Sequence, residues 1–257
     1  MIGIFDSGVG GLTVVKEIKK LLPEIPITYF GDTARLPYGN KSAETIQRYS
    51  DEIVDFLKTK NCRVIVVACN TASALAADWL RKKYPDLQIY DVVSSGARAV
   101  AESTKNKKVG VIGTKATIGS GIYEKKIAEI DPEIQVFAKA CPLFVPLVEE
   151  DWIRRPETKK IARTYLRELK LEKVDTLLLG CTHYPLLENI ISGVMGRRTK
   201  VIASGEKLAE KLKGDQGNLE NMGKRGDEYF VSDLTEHFER LAEKILGKKV
   251  KIEKIVL

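Results

Sequence analysis

Two short segments of the chain, 112 residues apart, share one pattern and limit the folds that the chain can adopt. Each is an apolar run followed by a small residue, a cysteine and hydrogen-bonding side chains, at residues 64–71 around Cys69 and 176–183 around Cys181. Runs that are continuously apolar are typical of strands buried on both faces of a parallel sheet. Ligands of such sheets bind beyond the carboxyl ends of the strands, which is where both cysteines lie. We therefore expect the two thiols to surround one substrate.

Strand-length apolar runs alternate with segments of helical period along most of the chain, which predicts an α/β fold. We expect eight strands, at residues 2–5, 27–30, 64–68, 88–92, 108–112, 134–138, 176–179 and 200–202. Residues 3–7 match residues 110–114, so the order of elements leading to a strand-end cysteine occurs twice. This repeat predicts two pseudo-symmetric parallel-sheet α/β domains with the active site in the cleft between them. We expect residues 1–95 plus 206–257 to form the first domain and residues 96–205 to form the second.

Three local patterns refine this organisation. The boundary between the domains is expected near Ser94-Ser95-Gly96, ahead of a helix at residues 97–102. Residues 214–227 carry four glycines and few apolar side chains, which predicts a loop. The stripe of Phe238, Leu241 and Ile245 predicts a closing helix that packs on the first domain.

The composition excludes several classes of protein. Hydrophobic residues make up 44% and charged residues 30% of the chain, as in soluble globular proteins. No apolar stretch approaches the roughly 18–20 residues that cross a bilayer, and the chain begins without a secretory signal, so we expect a cytoplasmic protein with no membrane partner. The net charge of +7 comes from lysines interleaved with glutamates, which is typical of solvated helix faces. Nucleic acid is therefore not expected as a primary partner.

The four cysteines fall into two groups. None forms a CxxC pair, so neither a disulfide framework nor a metal site is expected. Cys62 and Cys141 are interpreted as small buried hydrophobic residues. Cys69 and Cys181 each begin a helix or turn, where the helix macrodipole is expected to lower the thiol pKa from about 8.5 toward neutrality. His183 lies two residues after Cys181 and is expected to be functional, whereas His237 is expected at the surface.

Three acidic residues follow apolar runs, and two of them, Asp6 and Glu149, have two interpretations each. Asp6 ends the first strand, ahead of a glycine-rich loop, and either caps the next helix or serves the site. Asp32 begins a polar loop that contains Tyr38 and Gly39, which offer an aromatic edge and a backbone amide to a small ligand. Glu149 either starts a solvated helix or lies at the edge of the site, where it balances a ligand ammonium or a histidine.

Two opposed thiols suit the inversion of a stereocentre that carries an acidic C–H bond. A thiolate removes the proton from one face and a thiol delivers a proton to the other, whereas a single base tends to return the proton to the same face. Two rival interpretations remain at this point. The chain could be a two-lobed protein that binds a small anion without chemistry, or a thiol redox or zinc protein that uses Cys69, Cys181 and His183.

Four segments together resemble glutamate racemases, of the cofactor-independent aspartate/glutamate racemase superfamily. They are FDSGVGGL at residues 5–12, GDTARLPYG at 31–39, ACNTA at 68–72 and GCTHYP at 180–185, and the resemblance covers nearly the full chain. It implies interconversion of L- and D-glutamate without cofactor or metal, a supply of D-glutamate for peptidoglycan and cell shape, and a homodimer. Racemisation of aspartate or another acidic amino acid is the alternative, because one methylene in a pocket discriminates by only about 1–3 kcal/mol.

The resemblance also implies roles for individual residues. Cys69 is implied to deprotonate D-glutamate and Cys181 to deprotonate L-glutamate, assisted by Asp6 and His183 respectively. Substrate binding is implied for Asp6, Ser7, Tyr38, Gly39, Asn70, Thr71, Thr182 and His183. Glu149 is implied in catalysis, Asp32 matches a position associated with catalysis or site electrostatics, and Thr114 is a further candidate at the matching strand end.

Overall fold

The computed structural model describes residues 1–215, 217 and 225–257, and two parallel sheets organise it. The strands are β1 (Ile2–Asp6), β2 (Ile27–Gly31), β3 (Val64–Val67), β4 (Gln88–Asp91), β5 (Lys108–Gly113), β6 (Gln135–Ala140), β7 (Thr176–Gly180), β8 (Lys200–Ala203), β9 (Glu228–Val231) and β10 (Ile252–Lys254). The helices are α1 (Gly11–Leu21), α2 (Ala43–Thr59), α3 (Asn70–Lys83), α4 (Val92–Ser103), α5 (Lys115–Gly119), α6 (Ile122–Ala128), α7 (Phe144–Glu149), α8 (Pro156–Leu171), α9 (Glu188–Met195), α10 (Ser204–Gly214) and α11 (Glu236–Leu246). Short 3₁₀ helices lie at Thr33–Arg35, Tyr38–Asn40 and Tyr184–Leu187.

The two sheets repeat one topology. The first sheet has the order β10-β9-β2-β1-β3-β4 and the second has the order β6-β5-β7-β8, and all neighbouring strands are parallel. The block β2-β1-β3-β4 therefore matches β6-β5-β7-β8 strand for strand. The predicted class of two pseudo-symmetric parallel-sheet α/β halves is confirmed, and all eight predicted strands lie within two residues of their expected bounds.

Helices cover both faces of each sheet, which explains the continuously apolar strands. In the first half, α1, α10 and α11 bury one face of the sheet, and α2 and α3 bury the other. In the second half, α7, α8 and α9 cover one face, and α4 and α6 cover the opposite one. The central strands β1, β3 and β7 are buried along their whole length. Among the described helices, none is both long and apolar enough to span a bilayer.

The end of the chain adds two strands that the sequence did not predict. β9 pairs with β2, and β10 pairs with β9, so both extend the first sheet at one edge. The predicted closing helix is confirmed as α11, whose Phe238, Leu241 and Ile245 join the core under the first sheet. The predicted loop at residues 214–227 lies largely outside the described residues, although its first residue, Gly214, is the last of α10.

The segment Ser94-Ser95-Gly96 lies inside a helix, which corrects the expectation that a helix begins at residue 97. α4 begins at Val92 because the side chain of Asp91 caps it, accepting hydrogen bonds from the backbone N and from Oγ of Ser94 at 2.7 Å each. The chain thus passes from β4 of the first sheet directly into α4, which packs on α10 and on β7 of the second half. The division at residues 95/96 and 205/206 therefore stays a prediction.

Candidate active site

The carboxyl ends of four central strands meet where the two halves face each other. Asp6 ends β1, Cys69 follows β3, Thr114 follows β5 and Cys181 follows β7. Because β1 and β3 correspond to β5 and β7 in the topological repeat, the two thiols occupy equivalent places. Both cysteines are buried, at 5% and 6% exposure. The repeat thus places two protected thiols at one junction.

Asp6 joins the two halves through its two carboxylate oxygens. Oδ2 accepts hydrogen bonds from the backbone N of Gly8 and of Gly11 at 3.0 Å each, so it holds the loop and the first turn of α1. Oδ1 accepts from Oγ1 of Thr182, in the second half, at 3.3 Å. Burial raises the pKa of Asp6, and the positive charge of His183 and the hydrogen bonds offset part of that rise. The structure therefore supports both interpretations of Asp6, as a helix cap and as a member of the site.

Cys69 is the N-cap residue of α3, and its Sγ lies 3.7 Å from the Ser7 hydroxyl. Burial raises the pKa of the Cys69 thiol to about 12, with a further rise from the Asp6 carboxylate. Hydrogen bonds from the Ala72 amide and from Ser7 offset only part of this. The prediction that the helix N-terminus lowers this pKa toward neutrality is wrong for Cys69, because removal of the sulfur from water outweighs the macrodipole. At neutral pH this cysteine is a thiol.

Cys181 is the first of three groups that contact one another in sequence. Its Sγ lies 3.9 Å from His183 Nδ1, and His183 Nε2 lies 3.1 Å from Oε1 of Glu149, the last residue of α7. Burial alone lowers the pKa of the His183 imidazolium, but its hydrogen bonds with Cys181 and Glu149 raise it to about 10. His183 is therefore a cation at neutral pH. Of the two interpretations of Glu149, the structure supports the one at the edge of the site, where it balances this histidine.

We expect Glu149→Gln to lower the pKa of His183. A neutral amide does not stabilise the imidazolium as a carboxylate does, while burial continues to oppose the charge. Since the pKa of His183 lies above its ordinary value of 6.5, the charged ring stabilises the folded protein fully below about pH 6.5. That contribution is lost as the pH rises through about 10. The variant should therefore be less stable than the wild type below about pH 10, and the difference should be largest below about pH 6.5.

Nuclear magnetic resonance titration of the imidazole signals measures this effect directly. The chain has only two histidines, and the exposed His237 on α11 is identified by its loss in His237→Gln. A His183 titration that stays near pH 10 in Glu149→Gln would show that Glu149 does not hold the charge. The matched variant Glu150→Gln changes an adjacent carboxylate that forms no ion pair among the described residues, and it should leave the titration in place.

Hydroxyl and amide groups form a second cluster beside Cys69. Thr71 Oγ1 lies 3.0 Å from Thr114 Oγ1 and 3.2 Å from Thr117 Oγ1, which joins α3 to the second half. Asn70 Oδ1 accepts hydrogen bonds from the Tyr123 hydroxyl at 2.6 Å and from the hydroxyl of Ser204, the first residue of α10, at 3.3 Å. Its buried Nδ2 has no partner among the described residues. A buried amide with unused donors at a strand end is suited to bind an acceptor group of a ligand.

The loop from Asp32 to Gly39 approaches the junction from the first half. Asp32 is fully buried and accepts hydrogen bonds from Arg35 Nε at 2.6 Å, from Ser232 Oγ at 2.8 Å and from the Tyr38 hydroxyl. These partners belong to its own loop and to the turn after β9, so Asp32 holds Tyr38 rather than a thiol. A Cβ atom on Gly39 would lie 2.9 Å from Cβ of Thr114, so this loop touches the second half. Asp32 therefore supports Tyr38 from within the first half and contacts neither thiol directly.

Sequence reasoning missed several residues that support the site. They are Thr13, Tyr29, Thr117, Tyr123 and Ser204, which bind the loop after β1, the Cys181–His183 turn or the Asn70–Thr71 pair. Thr13 stands one residue after the glycine-rich segment, so its position is the one signal in the sequence that could have identified it. The others come from elements distant in the sequence.

The other two cysteines lie in the hydrophobic cores of the two halves. Cys62 and Cys141 are buried, as expected for small hydrophobic residues, and the four cysteines are free thiols. Within residues 1–215, 217 and 225–257, no group of three or more His, Cys, Asp or Glu side chains is arranged to hold a metal ion.

This architecture defines a class: a two-part α/β protein in which each half supplies one strand-end thiol to a shared buried polar site. The sequence profile of the Asp/Glu/Hydantoin racemase family matches residues 2–212. The chain belongs to this family.

Named proteins of this family resemble the chain over nearly its whole length. Glutamate racemase 2 of Caldanaerobacter subterraneus is 46% identical over 252 residues, which are 97% of this chain and 94% of that protein. The crystal structure of a glutamate racemase isoform from Bacillus anthracis superposes with a TM-score of 0.95 at 38% identity, covering 100% of this chain and 97% of the other. Glutamate racemase of Francisella tularensis, solved in complex with D-glutamate, gives a TM-score of 0.92 at 34% identity, with the same coverage.

Proposed function

We propose that the chain is a glutamate racemase that interconverts L- and D-glutamate by two-base proton transfer at Cα. The observation that carries the proposal is the placement of Cys69 and Cys181 at equivalent strand ends of the topological repeat, beside one junction. The assignment of glutamate as the substrate rests on the relatives, which are named glutamate racemases, and on the D-glutamate complex of the Francisella protein.

In the L-to-D direction, the Cys181 thiolate takes the α-proton of L-glutamate, and the C–H electron pair stays on Cα. The Cys69 thiol then delivers its proton to the opposite face, which leaves Cys69 as the thiolate and Cys181 as the thiol. The reverse reaction restores the starting state. The positive His183 attracts negative charge on the Cys181 sulfur, and the high pKa of Cys69 keeps that thiol protonated until the carbanion forms. Asp6 assists Cys69 from the same strand edge.

Substrate binding falls to groups around the two thiols. The free Nδ2 of Asn70 and the hydroxyls of Thr71 and Thr114 suit one carboxylate. Ser7, Tyr38, Gly39, Thr182 and His183 complete the proposed set. The Asp6 carboxylate suits the ammonium group, because Glu149 is already paired with His183.

The remaining parts of the proposal concern the cell and the assembly. We place the enzyme in the cytoplasm, where it supplies D-glutamate for peptidoglycan and thereby for cell-wall biogenesis and cell shape, and we propose a homodimer. The two catalytic domains are proposed as residues 1–95 plus 206–257 and residues 96–205, since β9 and β10 return to the first sheet. Sedimentation velocity tests the dimer.

The decisive experiment incubates the metal-free, cofactor-free protein with L-glutamate in D₂O. We expect the α-proton signal to disappear while D-glutamate forms with deuterium at Cα, because the delivered proton comes from an exchanged thiol. Exchange without inversion would show that only one thiol acts. If L-aspartate is racemised and glutamate is not, the substrate assignment is wrong, and if neither reacts, the racemase proposal is wrong.

A further inference from the structure

The turn that carries Cys181 and His183 is held by the opposite half of the molecule. Three groups of the first half touch it: the Asp6 carboxylate accepts from Thr182 Oγ1, Gly10 lies against Thr182 and His183, and Thr13 contacts the Thr182 backbone. All three belong to the end of β1 or to the first turn of α1. The thiol of one half therefore depends on contacts from the other.

Thr13 is the member of this group that fixes the backbone. Its Oγ1 lies 3.0 Å from the carbonyl oxygen of Thr182 and 2.8 Å from that of Gly10, so its one proton donates to the turn or to its own helix. The Thr182 carbonyl belongs to the planar peptide group that joins Thr182 to His183. A hydrogen bond there sets the orientation of that plane, and with it the directions of the side chains on either side.

The helix that carries Thr13 is a rigid support. Val14, Val15 and Ile18 of α1 are buried in the core under the first sheet, and Gly205 at the start of α10 packs directly against Val14. A site supported from a helix in the core is held more firmly than one supported from a loop. Thr13 is itself half-buried, so its bond to Thr182 is partly shielded from competing water.

From these contacts we infer that Thr13 is a positioning residue for the Cys181 thiol and the His183 imidazole, acting across the boundary between the halves. The inference rests on the proposed racemase function. It implies an asymmetry between the two thiols. Cys69 lies in the same half as Thr13 and is held by α3 and Ser7 instead. Loss of the Thr13 hydroxyl should therefore slow proton transfer at Cys181 more than at Cys69.

The test compares Thr13→Val, which removes the hydroxyl at nearly constant volume, with Thr13→Ser, which keeps it. Because the two enantiomers are equally stable in water, kcat/KM must fall by the same factor in both directions. We expect this factor to be about ten, the effect of losing one positioning hydrogen bond. The asymmetry appears in deuterium isotope effects. For α-deuterated L-glutamate, attacked by Cys181, the effect should grow, and for α-deuterated D-glutamate, attacked by Cys69, it should shrink.

Thr59→Val is the matched control. The Thr59 hydroxyl donates to the Phe56 carbonyl at 2.7 Å within α2, as Thr13 does to the Gly10 carbonyl at the start of α1, but it is exposed and forms no hydrogen bond to the described residues of the second half. Thr59→Val should keep the wild-type rate and isotope effects. Thr13→Ser, which keeps the hydroxyl, should have a rate and isotope effects much closer to those of the wild type than Thr13→Val has. A Thr13→Val enzyme within twofold of wild type, or a slower one with unchanged isotope effects, overturns the inference. Failure of the wild-type chain to racemise glutamate would instead reject the proposed function.

Discussion

Cys69→Ala and Cys181→Ala are each expected to lose glutamate racemisation by about 10³-fold or more while keeping the fold. Each thiol is the acid or base on one face of Cα, and a positioned proton-transfer group contributes typically 10²–10⁴-fold. Inversion needs both faces, so neither cysteine replaces the other. Among the described residues, each sulfur has one side-chain hydrogen bond, and it is long, at 3.7 or 3.9 Å, so loss of this bond should cost little stability. Racemisation is followed by circular dichroism and folding by thermal unfolding.

The two variants should also differ from each other. Cys69→Ala retains the base for L-glutamate and should exchange the α-proton of L-glutamate slowly in D₂O without inversion. Cys181→Ala should show the same behaviour with D-glutamate alone. Exchange of the opposite enantiomer in each case would mean that the two proposed roles are reversed.

Cys62→Ala provides the control for loss of a buried thiol. Cys62 is buried beside Gly3 in the core of the first half and takes no part in the junction. The variant should racemise glutamate at the wild-type rate. If Cys69→Ala unfolds under conditions where Cys62→Ala stays folded, then Cys69 is a structural residue, and its place in the mechanism must be withdrawn.

Much of the fold could be predicted because its strands are buried on both faces. Helices on either side of β1, β3 and β7 require continuous apolar runs, and such runs stand out in the sequence. β9 and β10 extend the sheet at one edge and are short, at four and three residues, so β9 carries an apolar run of only three residues and β10 carries none. The start of α4 was missed because its cap is Asp91, the last residue of a strand.

The site was less predictable than the fold because its chemistry depends on contacts between distant segments. The thiols and their neighbouring polar residues could be found from local patterns. The pairing of Glu149 with His183 spans 34 residues, and the contact of Thr13 with Thr182 spans 169. The pKa of Cys69 depends on burial, which only the assembled halves produce. Local sequence therefore predicted which thiols and polar groups lie at the junction but not how they are held or charged.

Gly10→Ala is expected to lower racemisation about 10²-fold or more, because the boundary between the halves leaves no room for a methyl group. A Cβ atom at residue 10 would lie 2.4 Å from Thr182 Oγ1 and 2.5 Å from His183 Nδ1, closer than real Cβ contacts allow. The backbone of Gly10 has φ −58° and ψ −36°, which alanine adopts readily, so strain within the loop contributes nothing. The methyl group must push the Cys181–His183 turn away from Asp6, and a displacement of about 1 Å can cost 10²-fold in rate.

Gly193→Ala separates this effect from a general effect of alanine for glycine. Gly193 lies in α9, and a Cβ atom there would have no atom of the described residues within 4 Å. Its variant should keep the wild-type rate and gain about 0.5–1 kcal/mol of stability, since glycine is unfavourable inside a helix. If Gly10→Ala also keeps its rate within twofold, the halves do not meet this closely during catalysis. If it is slow and Thr182→Ala, which removes the Oγ1 atom in the contact, restores no activity, the obstruction lies at His183, whose Nδ1 would be 2.5 Å from the methyl carbon.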